Sequence, residues 1–168
     1  MAATVQIIEK NGAGGTATDK TSLSVRFKDA DNAAVDLNNR LRVPGSGQYT
    51  YSYEKWLRLK VTAAPSVDIS NIVAYLDGGN GMGPGVDLYA KAVSAYATPV
   101  KPSAVTGWDD AFDYTQGSPL LLGEGPYNSW GSLPLEIGDH LVMMARLSDA
   151  SSGGITPSET LVIAFDET

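Results

Sequence analysis

Residues Gln48 to Thr62, QYTYSYEKWLRLKVT, constrain the fold more than any other stretch, because their character switches at every step. Tyr49, Tyr51, Tyr53, Lys55, Leu57, Leu59 and Val61 share one parity; Gln48, Thr50, Ser52, Glu54, Trp56, Arg58 and Lys60 share the other. Successive side chains of a strand point to opposite faces, so the first set is expected to face a core and the second to face water or a partner, with Lys55 and Trp56 as exceptions. A straight strand of this length would span about 50 Å, longer than strands usually run, which predicts a bend or bulge near Glu54 to Trp56.

The same alternation recurs along the chain. Thr4 to Glu9 reads as a first strand, stopped by the Asn11 to Gly15 turn, and Thr21 to Lys28 as a second with Leu23, Val25 and Phe27 inward. Asp29 to Gly47 is a polar connection in which Val35, Leu37, Leu41 and Val43 suggest a short edge strand closed by Pro44. Ser70 to Asp77 is apolar on both parities, the pattern of a strand covered on both sides. A glycine-rich tip, Gly78 to Gly85, joins it to Val86 to Val93 as a hairpin. Tyr96 to Ser132 is loop-rich, with one helical turn at Trp108 to Tyr114; strands follow at Asp139 to Ser148 and Thr160 to Asp166. The expected architecture is therefore all-β: one antiparallel β-sandwich domain over residues 1–168, of jelly-roll type, with long loops and at most a short helix.

Composition narrows the chemistry. The chain has no cysteine, which excludes disulfides and thiolate zinc sites, and a single histidine, His140, which excludes a zinc site of several histidines. His140 itself, at the start of a strand, is expected at the surface or an interface. A net charge of -7 argues against a nucleic-acid partner. No run reaches the roughly 18 apolar residues of a membrane span, and the start, MAATVQIIEK, lacks a basic leader with an apolar run behind it, so neither a membrane nor a signal peptide is expected. The charge is unevenly placed: residues 1–60 carry nine Lys or Arg against six Asp or Glu, and residues 61–168 three against thirteen. Such asymmetry suits contacts between copies or docking on an acidic surface.

Motifs with possible chemistry are incomplete. Asp29-Ala30-Asp31-Asn32-Ala33-Ala34 begins like a calcium loop but has alanine at a ligand position and at the turn glycine, so it reads as an acidic turn. Gly79 to Gly83 lacks the Lys-Ser/Thr pair and the helix of a phosphate loop. Asp109, Asp110 and Asp113 sit together on one turn beside Trp108, Phe112 and Tyr114, too close in the chain to flank a glycosidic bond from opposite sides. Tyr127 and Trp130 share a loop, and Trp56 lies among charges on the wet parity; both are candidate contacts.

At SYEKWLRLKVTAAPSVDISNIVAYLDGG, continuing through GVDLYAKAV and SAYATPV, the chain resembles head decoration, or auxiliary capsid, proteins of tailed bacteriophages. The likeness covers roughly Tyr49 to Val100. It implies a non-enzymatic β-sandwich subunit, usually a homotrimer, made in the host cytoplasm and seated on the major capsid protein at the virion exterior, with no catalytic residue and no cofactor. Arg40, Arg42, Trp56, Arg58, Lys60, Tyr127 and Trp130 are the expected contact residues. The alternative is a carbohydrate-binding or receptor-binding module using Trp108, Tyr114, Tyr127 and Trp130.

Overall fold

In the computed structural model, which describes residues 1–152 and 158–167, the strands are β1 (Thr4–Asn11), β2 (Thr16–Asp19), β3 (Tyr49–Tyr51), β4 (Lys55–Ala63), β5 (Ile69–Leu76), β6 (Val86–Val93), β7 (Asp109–Asp110), β8 (Leu120–Gly123), β9 (Leu135–Ser148) and β10 (Leu161–Glu167). The helical turn expected near Trp108 is a single 3-10 turn, Ala111–Asp113. All pairings are antiparallel and form two packed sheets, a seven-stranded one in the order β2-β1-β4-β9-β6-β7, with β3 also on β9, and a three-stranded one in the order β10-β5-β8. The all-β, two-sheet expectation therefore holds.

The pairings nest. β6 pairs β7, β5 pairs β8 and β4 pairs β9, so the chain from Lys55 to Ser148 is one long antiparallel ribbon whose rungs alternate between the two sheets. Between the sheets lies one apolar cluster, including Leu57, Leu59, Val61, Ile72, Leu88 and Leu141. β5 contributes Ile72, Ala74 and Leu76 to it, while Val73 and Tyr75 on its other parity stay half-buried.

The stretch Gln48 to Thr62 is two strands on the same neighbour. β3 pairs Arg146 to Ser148 and β4 pairs Leu135 to Met143, and between them the chain turns aside at Ser52 to Glu54, slightly before the expected bend. There Ser52 exchanges bonds with Ala145: its amide donates to the Ala145 carbonyl and its Oγ accepts from the Ala145 amide, each at 2.9 Å. The Tyr53 and Glu54 amides leave the sheet for the carbonyls of Lys28 and Val100. The expected inward face thus holds for Leu57, Leu59 and Val61, while Tyr51 and Tyr53 are half-buried and Tyr49 is exposed; Lys55, set apart as an exception, is fully buried with them. A second irregularity lies at Arg58, opposite Gly138 to His140.

Two expected strands are not formed. Thr21 to Lys28 and Val35 to Val43 belong to one irregular meander between Lys20 and Gln48. Val25, Phe27 and Leu41 pack against the core, but Leu23, Val35, Leu37 and Val43 are exposed, Leu37 at 78%. A segment without strand partners must satisfy its backbone polar groups some other way, and the means lies beneath it.

Candidate interaction surface

Three lysines hold the meander from below. The carbonyls of Asn32, Ala33 and Ala34 each accept from a different ammonium: Lys55 Nζ at 3.0 Å, Lys20 Nζ at 2.7 Å, and Lys28 Nζ. Lys28 also donates to Asn32 Oδ1. The stretch that begins like a calcium loop therefore does wrap cations, supplied by side chains of this chain. Lys55 is itself paired to Glu9 at 2.9 Å, both with fully buried side chains, and Lys20 lies 3.6 Å from the other Glu9 oxygen. Burial, and then the charge of Lys55, push the Lys28 ammonium below the usual lysine range. Asp31 closes the rim, accepting from Asn11 Nδ2 at 2.9 Å and from the Gly12 amide at 2.8 Å. The polar groups named here hold the loop, and Lys20, Lys28, Lys55 and Glu9 are buried beneath it.

The far face of the large sheet, expected to be wet, is covered by the loop after β6. Trp56 is only 3% exposed, with its ring edge-on to Tyr96 at 5.3 Å and to His140 at 5.5 Å. Its Nε1 donates to Glu54 Oε2 at 3.0 Å, an oxygen that also accepts from the Val100 amide. Trp56 therefore offers no indole to a partner, and the expectation of an anchor there is corrected. His140, expected at a surface, is 1% exposed; burial, then the nearby Arg58 charge, lowers its pKa. Both reversals have one cause: Ile8, Trp56, His140, Val142 and Met144 are all buried on this face, with Tyr96 packed against Trp56 and His140. The signal was present in β9, whose second parity carries Val142 and Met144.

Other expected contact residues are divided. Arg58 turns inward, its Nε donating to the Gly138 carbonyl at 2.8 Å and its Nη1 lying 3.4 Å from Glu136. Lys60 is half-buried opposite Glu136 in the β4–β9 register. Tyr127 is tied to Ile69 by two backbone bonds, and the Tyr127 and Trp130 side chains pack on the core, both half-buried. Trp108 lies under Lys91 Nζ, 3.9 Å from the ring centre. Asp109 accepts from the Tyr114 hydroxyl at 2.6 Å, and burial followed by that bond pushes the phenol up to about 12. Asp110 caps the 3-10 turn through the Phe112 amide. The acidic cluster thus frames one turn. Among the described residues no three His, Asp or Glu side chains converge as a metal site would require.

Arg40 and Arg42 are exposed on the meander together with Arg26; none of the three forms a salt bridge among the described residues. Leu23, Arg26 and Val35 edge an open groove of about 700 Å³ between the meander and β2. A second surface, without any sequence signal except the doubly apolar β5, is the outer face of the small sheet. Register places Val162 beside Tyr75, and Ala164 and Leu121 on either side of Val73. Comparison of the chain with known protein families, with curated proteins and with solved structures finds no match.

Proposed function

We propose that this chain is a structural virion protein of a tailed bacteriophage, which binds the outer surface of the capsid as a homo-oligomer and stabilises it. One observation carries the reading: the buried charges and the aromatic cluster are bound up in holding loops onto the sandwich, while arginines without a salt bridge among the described residues lie exposed on the meander beside exposed apolar side chains. That division of labour suits a rigid subunit that works through its surfaces. Arg40 and Arg42 are its contact residues toward an acidic shell or neighbour, and many modest contacts multiplied by symmetry give durable attachment.

The finer fold belongs to the same reading. A jelly roll is a long ribbon folded across two sheets, and the nested pairs β6·β7, β5·β8 and β4·β9 agree with that plan. Its eighth strand would lie beside β10, where the small sheet ends among the described residues.

The test is attachment to capsids stripped of surface proteins. Purified protein is expected to co-sediment with them and raise their resistance to heat; a protein that neither binds nor self-associates would end this reading. The carbohydrate-binding alternative calls for glycan binding that is lost in Trp130→Ala.

A further inference from the structure

The two surfaces left open in one chain have opposite characters. On the small sheet, Val73, Tyr75, Leu121, Val162 and Ala164 form a continuous apolar face, with Leu121 45% exposed and none of the five packed on the core. No lysine or arginine occurs in β5, β8 or β10, and the charges in and around them are all acidic: Asp68, Asp77, Glu124, Glu159, Asp166 and Glu167. None of these forms a salt bridge among the described residues, although Asp166 accepts from Asn71 Nδ2, Glu159 from the Gly81 amide and Glu167 from the Ala3 amide, bonds that leave their negative charge uncompensated. The meander inverts the pattern. Its exposed apolar side chains, Leu23, Val35, Leu37 and Val43, are interspersed with the exposed Arg26, Arg40 and Arg42. Its acids are engaged: Asp29 with Lys101 at 2.7 Å, Asp31 with Asn11, and Asp36 with Asn39.

An apolar face ringed by one sign of charge selects a partner that is apolar and oppositely charged. β5 carries the sequence of a strand covered on both sides, yet this fold covers one. We propose that the outer face of the small sheet docks the basic meander of a second copy of this chain. Contact between unlike patches propagates head to tail and closes into a ring where the rotation allows, which is how a trimer would arise. The inference rests on the self-association in the function proposed above and is independent of the capsid, so it is tested without one.

Sedimentation velocity over a concentration series is measured for the wild-type protein, for Arg40→Glu with Arg42→Glu, for Asp77→Lys with Glu124→Lys, and for an equimolar mixture of the two variants. All four substituted side chains are exposed, and circular dichroism verifies folding. Association is expected for the wild type, at least tenfold weaker association for each variant alone, and recovery of association on mixing, since every junction between unlike variants regains opposite charges, although a ring of three keeps one junction between like variants. A monomeric wild type, a variant that associates like the wild type, or a mixture that does not recover overturns the proposal. A monomer that still binds capsids would leave the virion reading standing and remove this one.

Discussion

His140 is the only histidine in the chain, so its titration can be followed without assignment. Its Nδ1 lies 3.2 Å from the Val93 carbonyl, and its Nε2 has no partner within the described residues. Burial and the Arg58 charge depress its pKa below 6.5. The folded protein thus binds fewer protons than the unfolded chain between the depressed value and 6.5, so stability is complete above that window and declines as pH falls through it. The single imidazole resonance should titrate below its value in urea, and His140→Phe should flatten the loss of melting temperature between neutral and mildly acidic pH. An imidazole that titrates at or above the unfolded value would contradict the buried site. Lys55 gives the second residue-scale prediction. Removing one member of a buried ion pair strands the other, typically at about 3–5 kcal/mol. Lys55→Met should lower urea stability by that order and free the meander to proteolysis, whereas Lys55→Met with Glu9→Gln should recover part of the loss. A Lys55→Met variant as stable as the wild type would mean the lysines do not hold the loop.

The bend in the large sheet depends on Gly138, which adopts φ 69° where β9 carries extra residues opposite Arg58. A Cβ there would come within 3.0 Å of both the Leu122 carbonyl oxygen and Ile72 Cδ1. Gly138→Ala should therefore destabilise by about 1–3 kcal/mol through left-handed strain and the clash, while Gly117→Ala, with open space around it, should be neutral; equal melting temperatures for the two would refute the argument. Nothing in the sequence around Gly138 announces the bulge, whereas most strands are plain there: Val86 to Val93 is found as expected, and Ser70 to Asp77 is offset by one residue. β8 was hidden in a loop-rich stretch because LLLG is short and does not alternate. Thr21 to Lys28 alternates yet stays irregular, since its segment is held by lysine-to-carbonyl bonds that no periodicity reports. Of the expected contact residues, Arg40 and Arg42 are exposed, as their charge alone suggests. Trp56 was misplaced because parity tells which side chains share a face, and a loop far along the chain decides whether that face is wet.

At the scale of the molecule, charge separation in sequence survives in two places, although ion pairs such as Lys10–Glu136, Arg58–Glu136 and Lys101–Asp29 join the two halves of the chain elsewhere. The basic first third becomes the meander and its lysine floor, and the small sheet collects acids without a single base. Opposed patches attract over roughly a Debye length, about 8 Å at physiological salt and 3 Å at 1 M, so association through them should weaken as salt rises, while purely apolar association would not. Folding is linked to association, because copies that bind only as folded units stabilise one another by mass action. The melting temperature should therefore climb with protein concentration at low salt, and the climb should shrink in molar salt. Arg40→Glu with Arg42→Glu should remove the climb without altering the melting temperature of the dilute protein, since neither arginine makes a salt bridge among the described residues. Differential scanning calorimetry across a concentration and salt matrix reads all three effects. A concentration dependence that grows with salt would assign the contact to apolar surface alone and leave the arginines free for another partner.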